Sequence, residues 1–350
     1  MTWIPQRTYE SRFAWSPNKE SAYGTVLADA KFTRSSILSG FDFPEISKTF
    51  RSNAGALFKG HEFPTEREQV RQDLRYAVNA ELSALLFGQV AAFCLGTDSP
   101  TLLETGVYEH VIIFMDPALD GRDLPSTGHY FFPSADQDTT TKGAVCPNFS
   151  VSYTRGQPLC QIASTWIGSG EYDNAAPSPV PDLSTAAEMG YLFEKDLEIT
   201  LGTPGGEVSV KDRIAAFSVE FSNGAADKAE AGYYAGSGLY RGRLWTGARQ
   251  VVPKFTMLSI DTDDLLTLFT NDTTQGLRIT WEGALLGATK KHKIDIYIPN
   301  IKFGGPWKSI EVNGEAAVEI SPGAEGVFKT PATEICTITV QNAEAAYLTA

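Results

Sequence analysis

Cysteine and histidine are scarce. The 350 residues hold four of each: Cys94, Cys146, Cys160 and Cys336, and His61, His110, His129 and His292. No two cysteines have the two-residue spacing of a zinc knuckle or redox pair. The histidines are not spaced as a metal pair, and Pro64 would break any zinc helix begun at His61-Glu62. The sparse thiols are expected to be buried and free. A GxxxxGK[ST] phosphate loop is absent, so nucleotide hydrolysis has no support. Gly236-Ser-Gly238-Leu-Tyr-Arg-Gly242 has one residue too many for a dinucleotide fingerprint, and Gly168-Ser-Gly170 is not a nucleophile elbow. Asp116, Asp120 and Asp123, like Asp136 and Asp138, lack the ligand order of a calcium loop and are expected to be solvated loop faces. We therefore expect no enzyme, no metal and no cofactor.

Long apolar runs are missing too. The longest, around Leu82 to Leu95, covers about fifteen residues and includes Gln89, short of the roughly twenty a membrane span needs. The amino terminus, Met1-Thr-Trp-Ile-Pro-Gln-Arg, lacks the apolar core of a signal peptide, which points to assembly in a cytoplasm. Basic residues are outnumbered, 29 Lys and Arg against 42 Asp and Glu, for a net charge of −13. Such a chain repels phosphate backbones and is not built to hold nucleic acid by attraction. With 42% hydrophobic and only 20% charged residues it can nevertheless bury proper cores.

What is present is mostly strand grammar around one helix. Leu74, Tyr76 and Val78 alternate as a strand with one buried face. Leu82, Leu85, Leu86, Val90 and Phe93 then fall at three- and four-residue steps, which predicts a core helix over Glu81–Gly96. Asn79 is the expected N-cap and Gly96 the expected left-handed stop. The same succession returns near Phe255–Ile260, with Asp261-Thr262 as cap and a short helix over Asp263–Phe269. Internal repetition of this kind predicts a duplicated strand–helix–strand module.

Around these elements, Val107–Phe114 predicts a buried strand, and Phe149, Val151 and Tyr153 share one strand face. Arg155–Pro158 turns that strand into a hairpin with Leu159–Ile167. Further strands are expected over Leu192–Leu201, Val208–Val210 and Ala216–Phe221, at Leu277, Ile279 and Trp281, and at Ile294, Ile296 and Ile298. Asn313-Gly314 signals a hairpin between Ile310–Val312 and Val318–Ile320, and Ile338–Val340 closes the chain. Residues 1 to about 19 are expected to form an irregular arm anchored by Trp3, Phe13 and Trp15. The division expected is residues 1–170 as one β module, a Pro-rich linker over 171–189, and residues 190–350 as a second module with a C-terminal hairpin.

Taken in order, several segments resemble the tail tube proteins, or major tail proteins, of bacteriophages with long, non-contractile tails. They are Lys19-Glu-Ser-Ala-Tyr-Gly-Thr25, the helix ending in Leu95-Gly96, Tyr108-Glu-His-Val-Ile-Ile-Phe114, and the pair Phe149–Tyr153 and Leu159–Ile167. Ile296-Tyr-Ile-Pro-Asn-Ile-Lys-Phe303 and Ile338-Thr-Val-Gln-Asn342 complete the set. The resemblance implies a mainly β fold, a β-sandwich or partial barrel with a flanking helix, here as two tandem related modules. It implies a structural virion protein whose homo-oligomeric rings, pseudo-hexameric from three chains or hexameric from six, stack into a hollow tube. DNA would pass through that lumen without specific binding. Implied partners are further copies of the chain and other tail proteins such as the tape measure and the tail terminator. The implied location is the virion, after assembly in the host bacterial cytoplasm. No catalytic residue is carried over.

The aromatic segment Ile37–Pro64 is too broken for a helix and too apolar for a mere linker. With Met115–Val145 and Asn223–Gly242 it is the expected contact region between copies, with Phe41, Phe43, Phe58 and Phe63 as apolar anchors. The rival expectation is a soluble β-sandwich module for carbohydrate or another ligand, with Tyr233, Tyr234, Tyr240 and Trp245 as stacking platforms. A β-rich hydrolase built on scattered carboxylates is a third reading.

Overall fold

Period-two alternation builds almost everything in the chain. The computed structural model describes residues 12–25, 27–28, 31–37, 44–52, 67–116, 118, 123–132, 139–173, 189–233, 238–258, 273–303, 308–312, 314–323 and 325–349. Its elements are β1 (Arg12–Trp15), β2 (Arg34–Ile37), β3 (Glu45–Ser52), β4 (Arg67–Glu81), α1 (Ala84–Leu95), β5 (Ser99–Glu104) and β6 (Val107–Ile113). Next come β7 (His129–Phe132), β8 (Thr139–Thr141), β9 (Val145–Thr154), β10 (Gln161–Ile167), β11 (Tyr172–Asp173), β12 (Leu197–Gly202) and β13 (Val208–Ser209). The remainder are β14 (Ile214–Ser222), β15 (Gln250–Leu258), β16 (Gln275–Leu285), β17 (Lys291–Ile301), β18 (Lys308–Val312), β19 (Glu315–Ile320) and β20 (Thr337–Asn342).

The strands form three antiparallel sheets. The large sheet has eight strands in the order β18-β19-β15-β14-β9-β10-β4-β3, and its companion has seven in the order β13-β12-β16-β17-β20-β6-β5. A small sheet runs β11-β8-β7-β1-β2. No sheet closes into a barrel among the described residues. Both larger sheets draw strands from before and after residues 174–188, the described part of the expected linker being limited to its two ends.

The large and companion sheets pack face to face with α1 between them. Every residue of α1 is buried, and it touches β9 on one side and β6, β17 and β20 on the other. Its apolar composition allows that position, since a helix hydrophobic all round has no face to offer water. Where the helix does not reach, the sheets meet directly. Phe217 on β14 and Trp281 on β16 have ring centroids 6.0 Å apart, and the Trp281 Nε1–H points at Cys160 Sγ, 3.3 Å away. All four cysteines are buried and free, as expected from their spacing.

The helix ends repay inspection. Gly96 takes the left-handed conformation (φ 90°) and its N–H bonds the Ala92 carbonyl, as predicted. The N-cap is Ser83, not Asn79: the Ser83 hydroxyl accepts from the Leu86 N–H. The strand continues past Asn79 because Val78, Ala80 and Leu82 keep alternating into the core, and Ala80 is too small to have advertised it. The helix accordingly starts three residues later than Glu81. The second expected helix, over 263–269, and its caps at Asp261 and Thr262 lie outside the described residues. Phe13 and Trp15 are buried anchors as expected, although in a strand, β1, and not in an irregular arm; Trp3 lies outside the described residues.

Candidate assembly surfaces

The two large faces turned away from the core differ in chemistry. On the large sheet, residues alternate with the buried set and are small and mostly uncharged. Ala77, Asn79, Asn148, Ser150, Ala163, Thr165 and Ser218 line one shallow hollow there, and the one charged side chain among its described lining residues is Glu220. On the companion sheet the outer face is laced with opposite charges. Arg278 meets Asp295 at 3.4 Å across β16 and β17, Lys293 meets Glu282 at 3.4 Å, and the Arg278 guanidinium lies over the Tyr297 ring at 4.7 Å. Cross-strand pairs of this sort hold two neighbouring strands in register and leave little net field.

The loops expected to make contacts are tied to the body. Asn223 is buried at the end of β14, where its Nδ2 donates to the carbonyls of Cys94 (2.7 Å) and Cys146 (2.9 Å) while its Oδ1 accepts from the Ala225 N–H. It therefore satisfies a carbonyl at the C-terminal end of α1 that the helix itself leaves open. Further on, Arg241 is 2% exposed and donates to the carbonyls of Ala229 (2.9 Å) and Gly168 (2.5 Å) and to the Asp73 carboxylate (2.7 Å). Burial tends to push the Asp73 carboxyl up, but the hydrogen bonds and charges of Arg241 and Arg75 outweigh it and hold Asp73 below the usual carboxylate range. The expectation that the Asn223 end of this loop is loose is thus corrected.

Glu20 plays the same tying role at the other end of the molecule. It is 5% exposed, accepts from the N–H groups of Gly24 (2.9 Å) and Gly143 (2.8 Å) and from the Ser126 hydroxyl (2.7 Å), and so joins the start of the chain to the 126–143 region. Burial pushes its carboxyl up to about 7 even against these hydrogen bonds and the nearby Lys142 charge. His129, against Tyr76, Thr141 and the Trp166 ring, is fully buried and pushed down to about 3, so it is neutral. These are fastenings of the fold.

The aromatic platforms of the ligand-binding expectation are largely engaged already. The Tyr233 ring lies beneath both Arg71 (5.0 Å) and Arg241 (4.8 Å), and its hydroxyl donates to the Gln72 carbonyl. Arg243 covers the Trp245 ring at 4.7 Å. Tyr240 is exposed, whereas Tyr234 lies outside the described residues. The expected apolar anchors Phe41, Phe43, Phe58 and Phe63 also lie outside them, as do Asp120, Asp136 and Asp138. The described residues bring no three His, Cys, Asp or Glu side chains together in a form that could hold a metal ion. No described helix is long and apolar enough to cross a membrane.

The strongest feature missed by sequence reasoning is the pair of open sheet edges. On the large sheet β3 and β18 each have a neighbour on one side only, and on the companion sheet β5 and β13 do. The β3 side chains Glu45, Ser47, Lys48, Thr49 and Phe50 are exposed. Polar β3 lacks the apolar alternation that marks a half-buried strand, which is why it read as loop.

A mainly β sandwich with a single buried helix and long open edges is the build of a structural protein. The family model described as phage tail tube protein matches residues 11–333, nearly the whole chain, and the chain belongs to that family. A search of curated proteins returned no match. The family makes it a structural component of a phage tail, assembling there with other tail proteins.

Proposed function

We propose that copies of this chain close into rings, and that the rings stack into the hollow tube through which phage DNA is delivered. Each ring contains three chains, every chain supplying two related modules. The observation that carries the threefold reading is the order of hairpins. The chain lays β3–β4 in the large sheet, passes through α1, puts β5–β6 into the companion sheet and returns with β9–β10 beside β4. Later it lays β14–β15 in the large sheet, passes through residues 259–272, puts β16–β17 into the companion sheet and returns with β18–β19 beside β15. The large sheet is thus two four-strand blocks, β3-β4-β10-β9 and β14-β15-β19-β18, in the same order. Duplicated blocks side by side are the arrangement that a ring of three chains with six equivalent positions requires.

In this reading the outer face of the large sheet lines the lumen. Its small hydroxyl, amide and methyl side chains offer DNA no cation to hold, and Glu220 repels phosphate. The charge-laced outer face of the companion sheet is turned outward. Phe41, Phe43, Phe58 and Phe63 are the anchors between copies, and the tape measure and tail terminator are the other tail partners. Assembly takes place in the host cytoplasm before the virion is complete.

Negative-stain electron microscopy of the purified chain, concentrated at moderate salt, tests the proposal. Hollow tubes or stacked rings with threefold class averages are expected. Solid fibres, or rings of six full chains, would overturn the threefold lumen reading.

A further inference from the structure

We propose that neighbouring copies join through their large sheets, the outer edge of β18 in one chain pairing antiparallel with the outer edge of β3 in the next. The inference rests on the ring reading and specifies its junction. Inside the chain the first block ends at β9 and the second begins at β14, and these two strands pair antiparallel over Ala216↔Thr154 to Ser222↔Asn148. In block order β18 stands where β9 stands, since each is the first strand of a returning hairpin and lies outermost in its block. By the same test β3 stands where β14 stands, each being the first strand of an opening hairpin. The chain therefore already contains one example of the junction that a second copy would make. Repeating it adds each new chain in the same direction along the sheet.

The edges suit this use. An unpaired edge strand offers a row of backbone N–H and C=O groups as a template, and proteins that must stay monomeric blunt such edges with proline, bulges or a covering element. β3 runs for eight residues with no proline, and nothing among the described residues pairs with its outer side. β18 likewise has β19 on one side only and no proline. The two edges differ from one another, so pairing is head-to-tail. That geometry either closes a ring or runs on as an open ribbon, and it cannot make a self-limiting two-fold dimer. The occupant of each edge is thus the opposite edge of another copy of this chain.

The test uses that asymmetry. In an antiparallel pair, successive residues point their N–H groups alternately toward and away from the partner. One variant carries proline at whichever of Ser47 and Lys48 points its N–H away from β4. The other carries proline at whichever of Ser309 and Ile310 points away from β19. Each blocks one edge and leaves the opposite one intact. Alone, each variant is expected to be monomeric by light scattering where the unmodified chain assembles. Mixed in equal amounts they should form a one-to-one dimer, because one good β18 edge still meets one good β3 edge. Rings or tubes from either variant alone, or a mixture that stays monomeric, would overturn the junction.

Hydrogen exchange on the unmodified chain decides the matter if a proline variant fails to fold. On assembly, amides of 45–52 and 308–312 should slow by at least tenfold. Hollow tubes without that protection would overturn the junction and leave the tube reading standing. A chain that never assembles into hollow rings would remove both.

Discussion

Tyr347 lies against Gly88 so closely that the helix has no room for a Cβ there: the phenol ring and hydroxyl fill the space a methyl would need. The Tyr347 hydroxyl donates to the Leu85 carbonyl at 3.2 Å, and Asn342 donates to the Ala84 carbonyl at 3.1 Å. The last turn of the chain thus grips the first turns of α1, far away in sequence. A glycine in mid-helix costs about 1 kcal/mol relative to alanine on propensity alone, so its presence at 88 is explained by this contact.

The first prediction follows. Gly88→Ala should destabilise by about 1–3 kcal/mol through overpacking, although the change improves helix propensity. In denaturant titrations the effect should be far from additive with Tyr347→Ala, which opens the space. An additive pair would show that Tyr347 does not set the requirement for glycine.

Arg241 predicts a second effect. Its removal leaves the carbonyls of Ala229 and Gly168 without their donor and Asp73 without its main partner. Breaking a buried pair by deleting one member costs about 3–5 kcal/mol, and because Asp73 is partly exposed the lower end applies. Arg241→Ala should therefore lose about 3 kcal/mol and render the 223–242 loop cleavable by trypsin or chymotrypsin in the native protein. Cleavage patterns like those of the unmodified chain would show that Tyr233 and Asn223 hold the loop without it.

Glu20 sets a pH dependence. Its carboxyl titrates at about 7 in the folded chain against an ordinary value of 4.5, so between these values the native state binds more protons than the unfolded state. Stability must then fall as pH rises from about 4.5 to about 7 and level off above, an effect of about 3 kcal/mol by linkage. Chemical denaturation at a series of pH values should show this slope, and Glu20→Gln should flatten it whatever its own baseline stability. A slope that survives the substitution would assign it to other groups.

Much of this architecture was legible in the sequence, and the gaps have physical causes. Strands with one dry face announced themselves: Phe149, Val151 and Tyr153 do alternate on β9, and Leu277, Ile279 and Trp281 do on β16. The turn at Arg155–Pro158 and the β18–β19 hairpin also appeared where turn chemistry put them. The small sheet did not, because β1 pairs with β7 more than a hundred residues away and its short strands carry too little pattern to find. The first half of β4, Arg67 to Asp73, is rich in charge and polar side chains and reads as loop until β3 is seen beside it. Asn223 looked like a turn residue, and its role as a buried donor to the helix end depends on Cys94, distant in sequence. Where the assembly anchors Phe41 and Phe43 sit lies outside the described residues, so their role stands on sequence alone.

The last prediction concerns the lumen wall. If the outer face of the large sheet faces DNA, then converting its neutral centre to a basic one should turn a sliding surface into a binding one. Asn79 on β4 and Glu220 on β14 both line the same hollow and are not part of the core. Asn79→Lys with Glu220→Lys changes the charge by three per chain, or about nine per ring if three chains close it. Each phosphate neutralised releases a counterion, so binding should fall steeply with salt. The double variant should assemble normally, retain double-stranded DNA at low ionic strength and release it as salt rises, while the unmodified tube retains none. The same lysines at Thr280 and Glu282, on the outer face of the companion sheet, should leave the lumen indifferent to DNA. DNA held inside tubes by the second pair and not by the first would exchange the roles of the two faces.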